Sequence, residues 1–424
     1  MKVLLGATQL AKRSDVTEEH GRRDLRDNLE SDFKKGDSPA EWAPGHPVAW
    51  GHEQWKFSSG EEKSVTSVSA TSDEKYFAIA IDDTLVIFEV DGYKLASVLK
   101  TGDGPIKSIE FARKPSEDTY VLACQYGDQY GRATNVKIWL LDQDCREIDP
   151  DKKIVVEGYL PTFAPSVFSS DCKTLLLLAT TTDEWGSHLA IVALDVQTGK
   201  EKFRMTGHTD SIMWTGFSPD DKFIASAAWD RYMKLWSGED GKFIRDYGPT
   251  GAQNWACAFD PEGVNLAVTT GAHRALMWRI DDPQSFPIAL AGKVGWERVI
   301  SNSPDGTKLA IGSADGRLMV HETKAMTLIQ VWQLGAEIGG SRWLKEVTEI
   351  KWLDNGNRIS WTPSDGSLQM YDFETNMKWK WAAGKEDKWR RGAWFNTVVL
   401  LERKGLIGSR DQDGAFRMWK IPEK

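Results

Sequence analysis

The chain has 424 residues, of which 41% are hydrophobic and 27% charged, and its formal net charge at pH 7 is −9. This apolar share can build a sizeable core and excludes gross disorder, while the negative charge argues against non-specific nucleic-acid binding by the whole molecule. No run approaches the roughly 18 apolar residues that a membrane-spanning helix needs, so no membrane association is expected.

Residues 1–44 are predicted to be an N-terminal extension. The opening stretch "MKVLLGATQLAKRSD" has an apolar patch but no convincing cleavage site, so we expect a weak strand or helix start rather than a targeting sequence. Within residues 14–39, Leu25, Leu29 and Phe33 fall on one helical face, which predicts a short charged helix. This helix would pack on the main domain or be partly disordered, or else it would bind a partner or a second copy.

Residues 45–424 repeat one pattern and are predicted to form a single domain. A short strand-like run closes on an anchor residue eight times, at gaps of 42 to 54 residues. The anchors are Phe88, Trp139, Ala193, Trp236, Trp278, His321, Tyr371 and Trp419. A period near 40–50 residues is typical of a β-propeller with one four-stranded blade per repeat. We predict an all-β propeller with eight blades, or seven if the weak third unit forms none.

Turn motifs lie upstream of most anchors. Examples are "ATSDEK" (70–75), "FSSDCK" (168–173), "FSPDDK" (217–222) and "NSPDG" (302–306). Pro presets the second position of a β-turn, and Asp, Asn and Gly tolerate the conformations that follow. The flanking apolar runs are too short for helices, so the pattern predicts hairpins. An ordinary two-sheet sandwich would not predict anchors at a regular phase.

Units two and three carry the longest insertions. They are "CQYGDQYGRATN" (124–135) and "TTTDEWGSH" (180–188). Their aromatic residues Tyr126, Tyr130 and Trp185 are candidates for a partner-binding surface, because loops on a rigid scaffold often carry binding function.

The best-preserved unit is "GHTDSIMWTGFSPDDKFIASAAWDRYMKLW" (207–236). On this unit and the period, the chain resembles the WD-repeat β-propeller family over roughly residues 50 to 421. Repeats of that family start with Gly-His, as here, and end with Trp-Asp, which reads Trp236-Ser237 here. The resemblance implies a buried hydrogen-bonded set made of His208, Ser226, Asp230 and Trp236.

These residues are assigned a structural role. A lone histidine such as His208 could be a base or a ligand, but in this pattern it is expected to hold the blade together. The anchors Trp139, Trp278 and Trp419 are assigned the same structural role. An Asp stands six residues before the anchor in four further units, at Asp82, Asp315, Asp365 and Asp413.

The segment "MKWKWAAGKEDKWRRGAWF" (377–395) departs from the repeat pattern. From Lys378 to Lys404 there are eight basic and three acidic residues, a local net charge of +5. Trp and Arg are enriched at interaction hot spots. The partner-binding candidates here are Trp379, Trp381, Trp389, Arg390, Arg391 and Trp394. Trp379, Trp381 and Trp394 could instead be core, and "KWRRG" could bind an acidic or phosphate-bearing peptide, be a solvated loop, or contact nucleic acid.

The ring also has to close. Only five residues follow Trp419, so the eighth unit lacks an outer strand of its own. The segment "PVAWGHEQWKF" (47–57) has strand composition and is predicted to pair with the last unit, which would remove an exposed edge.

A search for catalytic motifs is negative. "HEQWK" (52–56) lacks the second His of a zinc-protease helix, neither Gly199-Lys200 nor Gly384-Lys385 has the upstream Gly of a phosphate-binding loop, and no G-x-S-x-G occurs. We expect no enzyme activity, cofactor or metal. The four cysteines form no C-x-x-C motif and no N-glycosylation sequon occurs, which favours a reducing intracellular compartment.

The resemblance therefore implies a non-catalytic scaffold that binds other proteins, among them acidic or phosphorylated peptide segments, as part of a complex. We expect it in the cytoplasm, with the nucleus as a second location, and we expect no nucleic-acid partner. The alternative is an enzyme or small-ligand binder that uses the central channel.

Overall fold

A computed structural model gives the fold of most of the chain. The described residues are 32–58, 64–112, 119–127, 134–161, 167–183, 186–272, 274–282, 284–290, 295–333, 346–383, 397–411 and 413–423. The predicted helix falls largely outside them, at 14–31. Its last residues, 32–39, form a hairpin of strands Lys34–Lys35 and Ser38–Pro39.

Within the described residues, eight antiparallel sheets follow one another along the chain as the blades of a propeller, as the period predicts. Blade 1 has strands Val65–Ala70, Tyr76–Ile81, Thr84–Glu89 and Leu95–Lys100. Blade 2 has Ile106–Phe111, Tyr120–Gly127, Thr134–Leu141 and Ile154–Glu157. Blade 3 has Thr174–Asp183, Gly186–Asp195 and Glu201–Met205. Blade 4 has Ile212–Phe217, Phe223–Ala228, Met233–Ser237 and Phe243–Tyr247.

The remaining blades follow the same order. Blade 5 has strands Asn254–Phe259, Asn265–Thr270, Leu276–Arg279 and Ile288–Ala289. Blade 6 has Glu297–Asn302, Lys308–Ser313, Arg317–Glu322 and Thr327–Gln333. Blade 7 has Val347–Leu353, Arg358–Pro363, Leu368–Asp372 and Met377–Ala382. Blade 8 has Val398–Leu401, Leu406–Arg410, Phe416–Lys420 and, from the N-terminal side, Trp55–Phe57. Short 3₁₀ turns span Asp91–Tyr93, Asp354–Gly356 and Glu402–Lys404.

The third unit forms a blade, but an incomplete one. In place of a regular first strand, two isolated bridges join Tyr159 to Leu178 and Phe168 to Leu175. The weak third unit in the sequence therefore corresponds to a three-stranded sheet, and eight blades are retained.

The predicted turns are held by their own side chains. In four of them a Ser or Thr hydroxyl donates to the Asp carboxylate two residues later, as Ser218 does to Asp220 at 2.8 Å. That carboxylate then accepts the backbone N–H two residues further on, at 3.0–3.2 Å. A Ser/Thr-x-Asp-x-Lys/Thr sequence thus encodes the link between the first and second strands of a blade.

The core lies between neighbouring blades. Apolar clusters join blades 1 and 2, 3 and 4, 6 and 7, 7 and 8, and 8 and 1. Side chains on the inner strands also bridge blades: Ser67 and Ser69 of blade 1 accept the N–H groups of Ile109 and Phe111 of blade 2 at 3.1 and 2.9 Å. Contacts of this kind fix each blade against the next.

Ring closure by the N-terminal segment is confirmed. Trp55, Lys56 and Phe57 pair antiparallel with Met418, Arg417 and Phe416. The Trp55 indole also packs on blade 1, with its ring centroid 4.9 Å from that of Phe88. One strand therefore completes blade 8 and joins it to blade 1.

Residues 32–58, here called the strap, extend this closure across blade 7. Glu41–Trp42 and Val48–Ala49 run parallel to the outer strand of blade 7. A predicted domain boundary at residue 45 would fall inside the strap. That boundary stays a prediction, although residues on both sides of it pair with the same strand.

A buried ion cluster fastens the strap to blade 8. The guanidinium of Arg417 contacts the carboxylates of Asp411 at 2.7 Å and Asp413 at 2.6 Å within its own blade. From the strap, the Glu53 carboxylate approaches it to 3.6 Å and the Trp50 ring lies 4.0 Å from its carbon. Arg417 contacts all three carboxylates and is 2% exposed, while Lys56 of the strap approaches Asp413 alone, at 3.7 Å.

We expect Arg417→Leu to lower the free energy of unfolding by about 3–5 kcal/mol, because it leaves buried carboxylates without their counter-ion. The control is Lys420→Ala on the same strand, whose pair with Glu423 is exposed to solvent and should contribute little because water screens it. Urea unfolding followed by tryptophan fluorescence measures both. Equal losses in the two variants would show that the cluster does not stabilise the closure.

Candidate functional site

The four residues of the implied WD-type set come together in blade 4. His208 Nδ1 lies 2.7 Å from Asp230 Oδ2, and His208 Nε2 lies 2.8 Å from Ser226 Oγ. The Trp236 indole N–H donates to Ser226 Oγ at 3.0 Å. Every polar atom of the set faces another, and His208 is 5% exposed, so the arrangement ties strands together and leaves no face open to a substrate.

Asp230 also binds the backbone. Its carboxylate accepts the N–H groups of Thr209 at 3.1 Å and Tyr232 at 3.0 Å. Burial alone would raise the pKa of Asp230, but the hydrogen bonds and the charge of His208 outweigh it and hold that pKa below its usual value. The carboxylate therefore stays ionised, and its oxygens can accept these hydrogen bonds.

Other blades use different polar pairs at the corresponding Asp. Ser313 donates to Asp315 in blade 6, and Ser367 donates to Asp365 in blade 7. In blade 8, Asp413 binds Arg417. The anchors Trp139, Trp278 and Trp419 are all buried in the core. The Asp six residues before the anchor therefore has other polar partners in blades that lack a counterpart of His208.

The structure places the described partner-binding candidates inside the sheets. Trp379 and Trp381 lie on the outer strand of blade 7 and are 6% and 5% exposed, and Tyr126 on the second strand of blade 2 is 2% exposed. A partner cannot reach these three rings without rearrangement. The remaining candidates lie outside the described residues: Tyr130, Trp185, Trp389, Arg390, Arg391 and Trp394.

Topology relates the segments that contain those remaining candidates. In an antiparallel four-stranded blade, the link from second to third strand and the link from fourth strand to the next blade emerge on one face, here called the upper face. The described residues flanking 128–133 and 184–185 end second strands and begin third strands. Those flanking 384–396 join blade 7 to blade 8. All three pairs of flanking residues therefore lie on the upper face.

The same face carries an aromatic and charged group at the mouth of the channel. Trp229 follows the second strand of blade 4, Trp255 begins blade 5, and Trp296 precedes blade 6. The ring centroids of Trp229 and Trp255 are 5.3 Å apart, and those of Trp255 and Trp296 are 6.1 Å apart. We call Trp229, Trp255, Trp296, Arg298 and Glu346 the mouth cluster.

Arg298 occupies the centre of the mouth cluster. Its guanidinium carbon lies 3.8 Å from the centroid of Trp255, and its Nε lies 3.1 Å from Glu346 Oε1. Burial lowers the pKa of Arg298 and raises that of Glu346, while their mutual attraction opposes both shifts. The mouth cluster was not predicted from the sequence; its only signal there is a Trp at the start of two successive units.

The neighbouring Glu297 is a buried acid. It is 1% exposed, and burial raises its pKa to about 8, so the carboxyl group is protonated at neutral pH. Hydrogen bonds with the backbone at Thr270 and Ala275 oppose this rise in pKa, and the negative charge of Asp315 adds to it.

The channel holds a cavity of about 260 Å³ between the inner strands of blades 1, 2, 7 and 8. Its buried carboxylate Glu349 is already engaged, accepting N–H groups from Thr397 and Val398 and lying 2.9 Å from Lys351 Nζ. Across the residues that the structure covers, no His, Cys, Asp and Glu side chains group as a metal ion requires. The four cysteines are buried free thiols.

Comparison with known proteins agrees with this architecture. Residues 199–237 match the family model described as WD domain, G-beta repeat. With the eight-bladed fold, this confirms the resemblance to WD-repeat β-propellers. The crystal structure of the computationally designed Ika8 protein superposes with a TM-score of 0.61 over 86% of this chain and 98% of its own, at 14% identity, which concerns the fold alone.

Curated relatives match over parts of their length. Ribosome assembly protein 4 of Saccharomyces cerevisiae is 50% identical over 44 residues, 10% of this chain and 8% of its own. Transcription initiation factor TFIID subunit 5 of Caenorhabditis elegans is 26% identical over 179 residues, 42% of this chain and 26% of its own. Human echinoderm microtubule-associated protein-like 2 is 24% identical over 242 residues, 51% of this chain and 35% of its own. The described part of this chain has no helix long and apolar enough to span a membrane.

We expect Ser226→Ala to destabilise the protein by about 1–3 kcal/mol, because it leaves the buried Trp236 N–H without an acceptor. Ser237→Ala, one residue past the anchor and partly exposed, is the matched control and should cost less than about 0.5 kcal/mol. Thermal and urea unfolding measure the difference. A Ser226→Ala protein as stable as the control would remove the structural role assigned to the set.

Glu297 predicts a pH dependence of stability. Its folded pKa is raised from 4.5 to about 8, so the folded state holds a proton that the unfolded state has lost in that interval. The stabilising contribution is complete below about pH 4.5 and is lost as the pH rises towards 8, by up to about 1.4 kcal/mol for each pH unit. Unfolding free energies of the wild type minus those of Glu297→Gln should fall over this range. A flat difference would contradict the buried protonated acid.

Proposed function

We propose that this WD-repeat propeller is a non-catalytic scaffold that binds other proteins through its upper face. The observation that supports this most directly is the coincidence, on one face, of the mouth cluster and of the residues flanking three segments that each contain an aromatic residue. Those segments contain Tyr130, Trp185, and Trp389 to Trp394. Each of those segments is flanked by described residues on this face.

The chemistry of the upper face suits protein recognition. Trp296 and Arg298 are partly exposed, and indole and guanidinium groups combine large contact area with directional N–H donors. Arg298 is held in place by the Trp255 ring and by Glu346. A fixed side chain loses little conformational entropy on binding, which favours affinity.

The partner class that we propose for residues 389–391 is an acidic or phosphate-bearing peptide segment. The sequence Trp389-Arg390-Arg391 sets two guanidinium groups next to an indole. Guanidinium groups bind carboxylates and phosphates through paired hydrogen bonds. We place the protein in an intracellular complex, in line with relatives named as a transcription initiation factor subunit and a ribosome assembly protein.

The experiment compares two charge-matched variants in affinity purification from a lysate of the source cells. Arg390→Ala/Arg391→Ala removes two positive charges from the upper-face segment. Lys222→Ala/Lys242→Ala removes two from exposed positions on the opposite face. We expect partners that co-purify in stoichiometric amounts to fall at least tenfold with the upper-face variant alone.

Phosphatase treatment of the lysate separates the two peptide classes. Loss of the same partners after treatment indicates phosphate recognition, and their retention indicates carboxylate recognition. Partners that persist with the upper-face variant, or that disappear equally with both variants, would contradict the proposed surface. Circular dichroism confirms that each variant is folded.

A further inference from the structure

The start of the strap occupies a pocket between blades 6 and 7 as a bound peptide would. Phe33 is completely buried, its ring stacked on Tyr371 at a centroid distance of 4.3 Å and meeting the edge of Trp361 at 5.3 Å. Phe33 reaches this position from a short hairpin at the rim, far in sequence from both blades. A single aromatic anchor in an aromatic pocket is a common arrangement for peptide recognition.

The pocket walls are held by the blades themselves. Trp332 of blade 6 meets Trp361 of blade 7 at 5.1 Å, and Tyr371 meets Phe373 at 5.0 Å. The Tyr371 hydroxyl donates to Asn376 Oδ1 at 2.9 Å. These contacts do not involve the strap, so the aromatic walls have partners of their own when Phe33 leaves.

Polar contacts also bind the residues on either side of Phe33. The Gln330 side chain binds the Lys34 backbone in both directions: its Oε1 accepts the N–H at 3.0 Å, and its Nε2 donates to the carbonyl. The residue before Phe33 is Asp32, which pairs with the Lys378 ammonium group. The residue after Lys34 is Lys35, whose Nζ donates to the Glu374 carbonyl at 2.6 Å.

We propose that this rim pocket is a binding site for extended peptide segments of partner proteins that carry an acidic residue directly before a phenylalanine. In the present structure the chain fills the pocket with its own Asp32-Phe33-Lys34-Lys35. The main-chain contact through Gln330 supplies affinity for any extended segment, while the aromatic pocket and Lys378 select the acidic–aromatic pair. This site lies on the rim and is separate from the proposed upper-face surface.

The strap's own segment competes with such a partner. It is tethered to the ring by the strands Glu41–Trp42 and Val48–Ala49, which keep it close to the pocket. Tethering over a short distance gives an effective concentration on the order of millimolar. A partner therefore enters only when its local concentration is high or when the Asp32–Lys35 segment is released, which makes the strap an internal inhibitor of the site.

The test uses the full chain and a fluorescent peptide with the sequence of residues 30–40, ESDFKKGDSPA. The Phe33→Ala protein keeps the pocket but lacks its own anchor, so it should bind the peptide at least tenfold more tightly than the wild type. A peptide with Ala in place of Phe should not bind. Adding Gln330→Ala or Lys378→Ala to the Phe33→Ala protein should weaken binding, whereas adding Lys222→Ala should not.

Fluorescence anisotropy gives the affinities, and circular dichroism confirms folding. If Phe33→Ala fails to fold, Asp32→Ala, which removes the pair with Lys378 and the acceptor of the Phe33 N–H, provides the same comparison with a smaller expected gain. Equal binding by wild type and variants, or equal binding of the two peptides, overturns the proposal. Sedimentation that shows wild-type dimers formed by strap exchange also overturns it, because the occupant would then be a second copy.

Discussion

A ring of sheets holds together only if its last blade is joined to its first. Here Trp55 to Phe57, which precede blade 1 in the chain, complete the final blade, and an apolar cluster packs that blade on blade 1. The Arg417 cluster and the Trp55 ring fix that strand from both sides. Without this strand, the outer edge of blade 8 would be unpaired and exposed, and the ring of blades would lack its N-terminal closure.

The polar interactions of the blades show how a degenerate repeat keeps a regular shape. Blade 4 uses a histidine, a serine and an aspartate around its anchor tryptophan, whereas blade 8 uses an arginine between two aspartates. In blade 4 the set gives the buried indole N–H of the anchor Trp236 an acceptor, whereas among the described residues the buried indole N–H of Trp419 in blade 8 has no hydrogen-bond partner. The fold therefore keeps a charged pair at the Asp before the anchor in a blade that lacks the histidine of blade 4.

Much of the architecture could be predicted from the sequence because it depends on local signals. The turn motifs encode their own hydrogen bonds, as Ser218 and Asp220 do, and the anchors mark one strand in each blade. Ring closure followed from counting strands. The incomplete first strand of blade 3 was not predicted, because its apolar residues join the sheet through two isolated bridges only.

The candidate functional positions were harder to predict, because they depend on which blades become neighbours. Trp379 and Trp381 stand among basic residues in the sequence, yet the alternation of a strand buries both rings. Arg298 and Trp255 are 43 residues apart and meet only because blades 5 and 6 are adjacent. Phe33 fitted a helical pattern, but its contacts with Tyr371 and Trp361 lie more than 300 residues away and left no local signal.

The two faces differ in how freely their sequence can vary. On the face opposite the upper face, the turns between first and second strands, such as Ser218–Asp220, depend on a hydrogen bond from a Ser or Thr hydroxyl to an Asp carboxylate. These positions therefore need particular residues. On the upper face, the second and third strands of blade 3 extend to ten residues each and stay paired as far as Asp183 and Gly186. New loops grafted onto the ends of this hairpin would leave the inter-blade contacts unchanged. The scaffold thus offers protein engineers a position where recognition can be redesigned independently of folding.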